Sequence, residues 1–260
     1  MGIYYKEWIE SRWRLVTGTI VLTALSLFNV IMYPWIQTLM TPDMARLMES
    51  MMRQMMPFID MPALEPMFDS WNTYLYGSWI SKTLYQTITI FILLAAAPLF
   101  AGEENRGTLQ FLLSKPISTL EIVSAKYLVN VAEIILIALV STFILYPASL
   151  IMGESFNASL FALGLIQAIP GYIMLFSIAF FISTLFKDSI KALAASAIGF
   201  AILSVPSFLP DFRHLSVFRI LQGFNLLENE GVMWSVAAIF LIISAGFFIL
   251  TYIMATKKEA

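Results

Sequence analysis

The sequence predicts an all-α membrane protein with six transmembrane helices and both ends on the cytoplasmic side (N-in, C-in). Three observations carry that expectation. Hydrophobic residues make up 59% of the 260 positions and charged residues only 12%, where a soluble domain of this size is about a quarter charged; the mean hydropathy is +0.81. Mostly apolar stretches of about 20 residues recur along the chain, the length that crosses a bilayer core. Lysine and arginine gather in alternate connections, as cytoplasmic loops require. The net charge of −2 gives no footprint for nucleic acid or an anionic substrate, and the absence of cysteine removes disulfides and thiolate metal sites.

The elements follow in order within a single domain, residues 1–260. Residues 1–14 carry Tyr5, Trp8, Ile9 and Trp13 at helical spacing between charges, which predicts an interfacial amphipathic helix in the headgroup plane. It serves either as an anchor for the first span or as a contact for a partner. The first span covers 15–35 and closes at Pro34 with Tyr33 and Trp35 as an aromatic belt. It is too long for a signal peptide, and no small-residue cleavage site follows it. The remaining spans are expected at about 81–100, 127–151, 160–185, 190–209 and 233–254. Gln86, Asn130 and Glu133 dilute the second and third. An N-terminus inside places Lys6, Arg12, Arg14, Arg106, Lys115, Lys126, Lys187, Lys191, Lys257 and Lys258 in the cytoplasm. Arg46, Arg53, Lys82, Arg213 and Arg219 then lie outside, most of them in long loops where the rule is weak.

The inner loop at 101–123 divides by its own chemistry. Gly107 and Thr108 open a short helix, with Glu103 and Glu104 near its positive N-terminal end. Leu109, Leu112 and Leu113 form one apolar stripe, and Pro116 stops the helix after Lys115. Ser118 to Glu121 is a capping box that starts the helix into span three. The stripe needs a groove, provided either by the lipid interface or by a cytoplasmic protein. Gly102 and Gly107 mimic the start of a phosphate-binding loop, but Thr108 and Leu109 follow where lysine and serine or threonine are required. The chain is therefore not expected to bind ATP itself.

Other features have a structural and a functional reading each. Pro170-Gly171 predicts a kink in span four, either a hinge or an ordinary membrane-helix irregularity. Ala192 with Ser196, and Ala195 with Gly199, give small-xxx-small spacing in span five, for packing inside one subunit or for a dimer seam. Glu133, a carboxylate inside a span, either pairs with Arg14 or another loop cation or serves a substrate or proton. The outer segment at 36–80 repeats Met40, Met44, Met48, Met52 and Met56 every four residues. Thioethers suit Cu(I), with Met44, Met48 and Met52 as the candidate ligands, but with no His or Cys nearby the reading preferred is an adaptable apolar face. The outer segment at 210–231, which holds His214, the single histidine, is expected to dip into the membrane surface as short helices.

The run Ala101-Gly-Glu-Glu-x-x-Gly107-Thr-Leu-x-x-Leu-Leu-Ser-x-Pro116-Ile-Ser, with Glu121-Ile-Val and Lys126 after it, resembles the signature loop of ABC-2 type transporter permeases. That resemblance implies a permease that dimerises, pairs with two copies of a separate ABC ATPase holding ATP and Mg, and lies in a prokaryotic plasma membrane. It implies a coupling helix at Gly107 to Ser114, with Glu103, Glu104, Gly107, Thr108, Leu109, Leu112, Leu113 and Pro116 docking on the ATPase. It implies a second contact at Lys187 and Asp188. Asn29, Gln86, Thr89, Gln167 and Glu133 are the polar candidates for the pathway, which suits an amphipathic or hydrophobic cargo, and export is the preferred direction. An intramembrane enzyme is disfavoured, since no Asp lies in a span and no His at membrane depth. A scaffold or channel subunit, or a permease tied to copper-enzyme maturation through the methionines, is the alternative.

Overall fold

A computed structural model of the chain describes residues 2–39, 42–55, 70–108, 117–209, 212, 216–228 and 230–259. The described residues form helices and no strand. In chain order they are α1 (Ile3–Leu39), α2 (Pro42–Met55), α3 (Trp71–Asn105), α4 (Thr119–Ile151), α5 (Ala158–Leu185), α6 (Ser189–Phe208), α7 (Val217–Leu227) and α8 (Trp234–Lys258). All but α2 and α7 are long and apolar enough to cross a bilayer, and they are the six spans. An even number of crossings returns both termini to one end of the bundle, called here the terminal end.

Helix α5 occupies the centre and packs against α8, α3, α6 and α4, while α1 lies along α4. The main core cluster, in which Trp79, Tyr76, Tyr172, Phe176 and Phe180 are fully buried, is joined at the terminal end by two small ones around Ile3, Ile122 and Ala125 and around Ala97, Ala101 and Ala192. Gly171 permits a close approach of α7 to α5 in this core. A Cβ there would stand 2.5 Å from Leu221 Cδ2 of α7, so the Pro170-Gly171 pair serves helix–helix contact inside a helix that runs unbroken through it.

Two elements differ from the sequence expectation. The amphipathic residues 3–14 form the first turns of the same helix as span one. Ile3, Glu7, Ser11, Gly18, Leu22, Ser26, Val30 and Tyr33 make one buried face, and it continues through Glu7 because α4 supplies that carboxylate with a partner. Helix α3 starts at Trp71, ten residues before the expected span. Ser70 and Thr73 cap it reciprocally. Its polar aromatics lower the hydropathy of the segment but are buried in protein: Trp71 Nε1 donates to Ser149 at 3.0 Å and Trp79 Nε1 to Thr142 at 3.0 Å.

Within α3, Tyr76–Leu84 is a π-helix, a geometry that is rare at this length and often marks functional segments. Pro98 then interrupts the backbone ladder near the terminal end. Ser183 of α5 answers the freed groups, accepting from Phe100 N and Ala101 N and donating to Ala97 O, so the broken turn keeps its bonds at membrane depth.

Candidate functional site

At the terminal end α3 finishes in the helix Ala101–Asn105, and Gly107 in the left-handed region at φ 68° ends it. A Cβ would be strained there. Glu103 is thus in the last turn of α3, within the helix Ala101–Asn105. Its carboxylate is almost fully buried and accepts from Lys126 Nζ of α4 at 2.7 Å. The same ammonium donates to Glu7 of α1 at 3.1 Å. Lys126 is 1% exposed and Glu7 4%, so one buried cation joins three helices. Lys6 Nζ adds contacts to Glu7 at 3.5 Å, Glu10 at 3.4 Å and Glu103 at 3.9 Å.

The Glu7, Glu10 and Glu103 carboxylates converge within 4.8 Å, a spacing that could hold a metal ion. Two ammonium groups already stand among them, so their charge is answered by the chain's own lysines. One helical step deeper, Arg14 grips Glu133 with contacts of 3.1, 3.2 and 2.7 Å and also donates to Asn130 Oδ1. Glu133 is fully buried and belongs to this pairing. Beside the network lies a cavity of about 630 Å³, lined by Lys6, Arg14, Glu103, Arg106, Thr108 and Lys126 among others.

Glu104 faces the other side of α3, in contact with Lys258 of α8 and 3.9 Å from Lys187. Asp188 caps α6, accepting from Ile190 N at 2.9 Å and Lys191 N at 3.0 Å. Gly102 lets α6 approach closely, since a Cβ would meet Ser189 Oγ at 3.0 Å. Glu103, Glu104, Gly107, Thr108, Lys187 and Asp188 are therefore gathered at one end of the bundle. Leu109, Leu112, Leu113 and Pro116 lie outside the described residues, as does His214.

The candidate pathway residues separate. Gln167 is buried and engaged: its Nε2 donates to Ile220 O at 3.0 Å and Asn225 Oδ1 at 2.8 Å, and its Oε1 accepts from Asn225 Nδ2 at 3.1 Å. With Tyr76 donating to Gly223 O at 3.2 Å and Ser81 to Gln222 O at 2.6 Å, these bonds seat α7 between α3 and α5. Asn29 and Thr89 bond back to their own helices, at Leu25 O and Tyr85 O. Gln86 is exposed and donates to Tyr85 Oη at 3.2 Å. Met44 and Met48 are exposed one turn apart on α2, and the Met52 side chain is not among those described.

Sequence reasoning missed Glu7 and Ser183. Glu7 sits four residues from Ile3 and from Ser11 on the buried face, a spacing that was open to view, whereas nothing in sequence links Ser183 to the turn at Pro98.

Residues 1–209 match the family described as ABC-2 family transporter protein. No curated protein matches the chain. The match covers most of the chain, including the Glu7, Glu103 and Lys126 cluster and five of the six spans, and this multi-pass membrane protein therefore belongs to the ABC-2 transporter family.

Proposed function

We propose that the chain is the transmembrane subunit of an ATP-driven exporter, acting as a dimer with two copies of a separate ATPase. The terminal end is the cytoplasmic one in this reading, because Lys6, Arg12, Arg14, Arg106, Lys126, Lys187, Lys191, Lys257 and Lys258 gather there. The loop at 101–123 docks on the ATPase through Leu109, Leu112 and Leu113, with Lys187 and Asp188 beside it. The cargo is an amphipathic or hydrophobic molecule.

The observation that carries the reading is the clamp on that loop. Glu103, four residues before the turn at Gly107, is tied by Lys126 to both α1 and α4. A push delivered to the loop is passed to three spans at once and is not lost in a flexible hinge. Support for the dimer comes from the outer helices. Only 17% of the apolar window of α6 is buried within the chain, against 61% for α5. Ala192 and Ser196 pack inside the subunit, while Ala194, Ala197 and Ala201 leave a small-residue face on α6 uncovered.

The test is affinity purification of the tagged chain in mild detergent, with and without Leu109, Leu112 and Leu113 changed to Ser. An ATPase in equal amount should come down with the native chain and be lost from the folded variant. A native chain that comes down alone would sink the coupling.

A further inference from the structure

The cavity of about 630 Å³ at the terminal end lies between the start of α1, the end of α3 and the start of α4. Much of the charge around it is already matched, Lys126 to Glu7 and Glu103, and Arg14 to Glu133. Arg106, Glu10 and Glu103 keep free capacity. The Arg106 guanidinium gives its Nε to Gly102 O at 3.1 Å and has no carboxylate partner among the described residues. Glu10 is exposed and meets Lys6 at 3.4 Å. Glu103 is more than nine-tenths buried, and its Oε2 has no hydrogen-bond partner although Oε1 is engaged. A buried polar atom left unanswered is costly and points to a donor that binds beside it.

Charge and depth narrow the ligand. A guanidinium without a partner and spare carboxylate oxygens in one cavity suit a molecule that carries both signs. A simple anion would gain Arg106 but face three carboxylates, and a metal ion would meet the ammonium groups of Lys6 and Lys126. The depth is marked on α1, where Tyr4, Tyr5, Trp8 and Trp13 are exposed at the level of the cavity; exposed tryptophan and tyrosine gather at the membrane–water interface. The apolar stretch of the first span starts directly after them, at Leu15. Further in, α1 and α3 meet at Gly18, where a Cβ would stand 2.9 Å from Phe91. Val21 and Leu94, each three residues past that contact, are exposed. The cavity is thus at headgroup level, with an apolar seam open to lipid beneath it.

We propose that this cavity binds the headgroup of a phospholipid bearing a primary ammonium, as phosphatidylethanolamine does, drawn from the leaflet at the terminal end. The ammonium donates to Glu103 Oε2 and to Glu10, the phosphate accepts from Arg106, and an acyl chain runs along Leu94 and Val21. The bound lipid ties the start of α1 to the end of α3 beside the Lys126 clamp. The site needs only the membrane placement of the family, so it stands or falls apart from the ATPase and the direction of transport.

Native mass spectrometry of the purified full chain measures this, with phosphatidylethanolamine, phosphatidylcholine and phosphatidylglycerol of identical acyl chains added in turn. Phosphatidylethanolamine should be held at least about tenfold more tightly than the other two, the worth of one hydrogen bond to a charged group. Glu10→Gln and Arg106→Gln, both at exposed side chains, should each reduce that preference at least about threefold by removing one charge-assisted contact. Arg12→Gln, at the same level of α1 but outside the cavity, should leave it unchanged. Equal retention of the three lipids, a preference for phosphatidylglycerol, or a preference that survives both cavity variants overturns the inference. Soluble glycerophosphoethanolamine is then added as a competitor. Failure to displace the lipid supports a bilayer ligand; displacement at equal concentration overturns the lipid assignment and makes the site one for a soluble phosphoamine.

Discussion

The ammonium of Lys126 is the most consequential single group at the terminal end. Lys126→Met retains the apolar stem and removes only the charge. At an effective dielectric near 20, unit charges about 3 Å apart attract by about 5 kcal/mol. Two such contacts, at 3.1 Å to Glu7 and 2.7 Å to Glu103, outweigh the several kcal/mol that desolvating one ammonium costs. The loss is softened because Lys6 remains near both carboxylates, at 3.5 and 3.9 Å. We expect destabilisation of about 3 kcal/mol, the low end for breaking a buried pair.

The cause is two stranded carboxylates, and this makes a second expectation. Glu7→Gln and Glu103→Gln added to Lys126→Met should recover about 2 kcal/mol, since neutral groups of similar shape avoid the uncompensated charge. Equilibrium unfolding in mixed micelles against increasing SDS measures both variants. A single variant within about 1 kcal/mol of the native chain, or a triple variant no more stable than the single, would refute the reasoning.

Two further outcomes come from the same geometry. Arg14→Ala should cost about 3 kcal/mol and Glu133→Gln only about 1 kcal/mol, because the first strands a buried carboxylate while the second leaves an arginine that reaches water; equal costs in the unfolding assay would contradict this. Gln167→Leu should strand Asn225 Oδ1, whose donor is Gln167 Nε2, and loosen α7 by about 1–3 kcal/mol, seen as faster amide hydrogen exchange across Val217–Leu227 with α1 unaffected.

The composition made the six spans legible, and the helix of the second starts before its apolar stretch because burial in protein replaces burial in lipid there. Hydropathy averages treat Trp71, Tyr74, Tyr76 and Trp79 as diluting a span, whereas in the fold they are among the most buried residues of α3. Ser118 announced α4 correctly, and its hydroxyl accepts from Glu121 N at 3.2 Å. Glu103 and Lys126 were both visible in the loop signature, but 23 residues separate them, and no local periodicity connects them. The same holds for Gln167 and Asn225, 58 residues apart. Gln167 read as a polar side chain at membrane depth; its role in seating α7 depends on a loop that returns from the far end.

The two ends of the bundle are held by different chemistry, and on the transport reading the difference sets where the protein yields. Buried ion pairs join α1, α3 and α4 at the terminal end, and removing one partner costs about 3–5 kcal/mol. Neutral bonds from Tyr76, Ser81 and Gln167 seat α7 at the far end, each contributing about 1 kcal/mol. A displacement started at the loop therefore carries the clamped helices as one body and spends itself where the restraint is weakest, at α7. The hydrogen exchange of Val217–Leu227 in the assembled transporter reads this directly: nucleotide should raise it while the amides of 101–106 stay protected, and the reverse order would place the yielding element at the clamp.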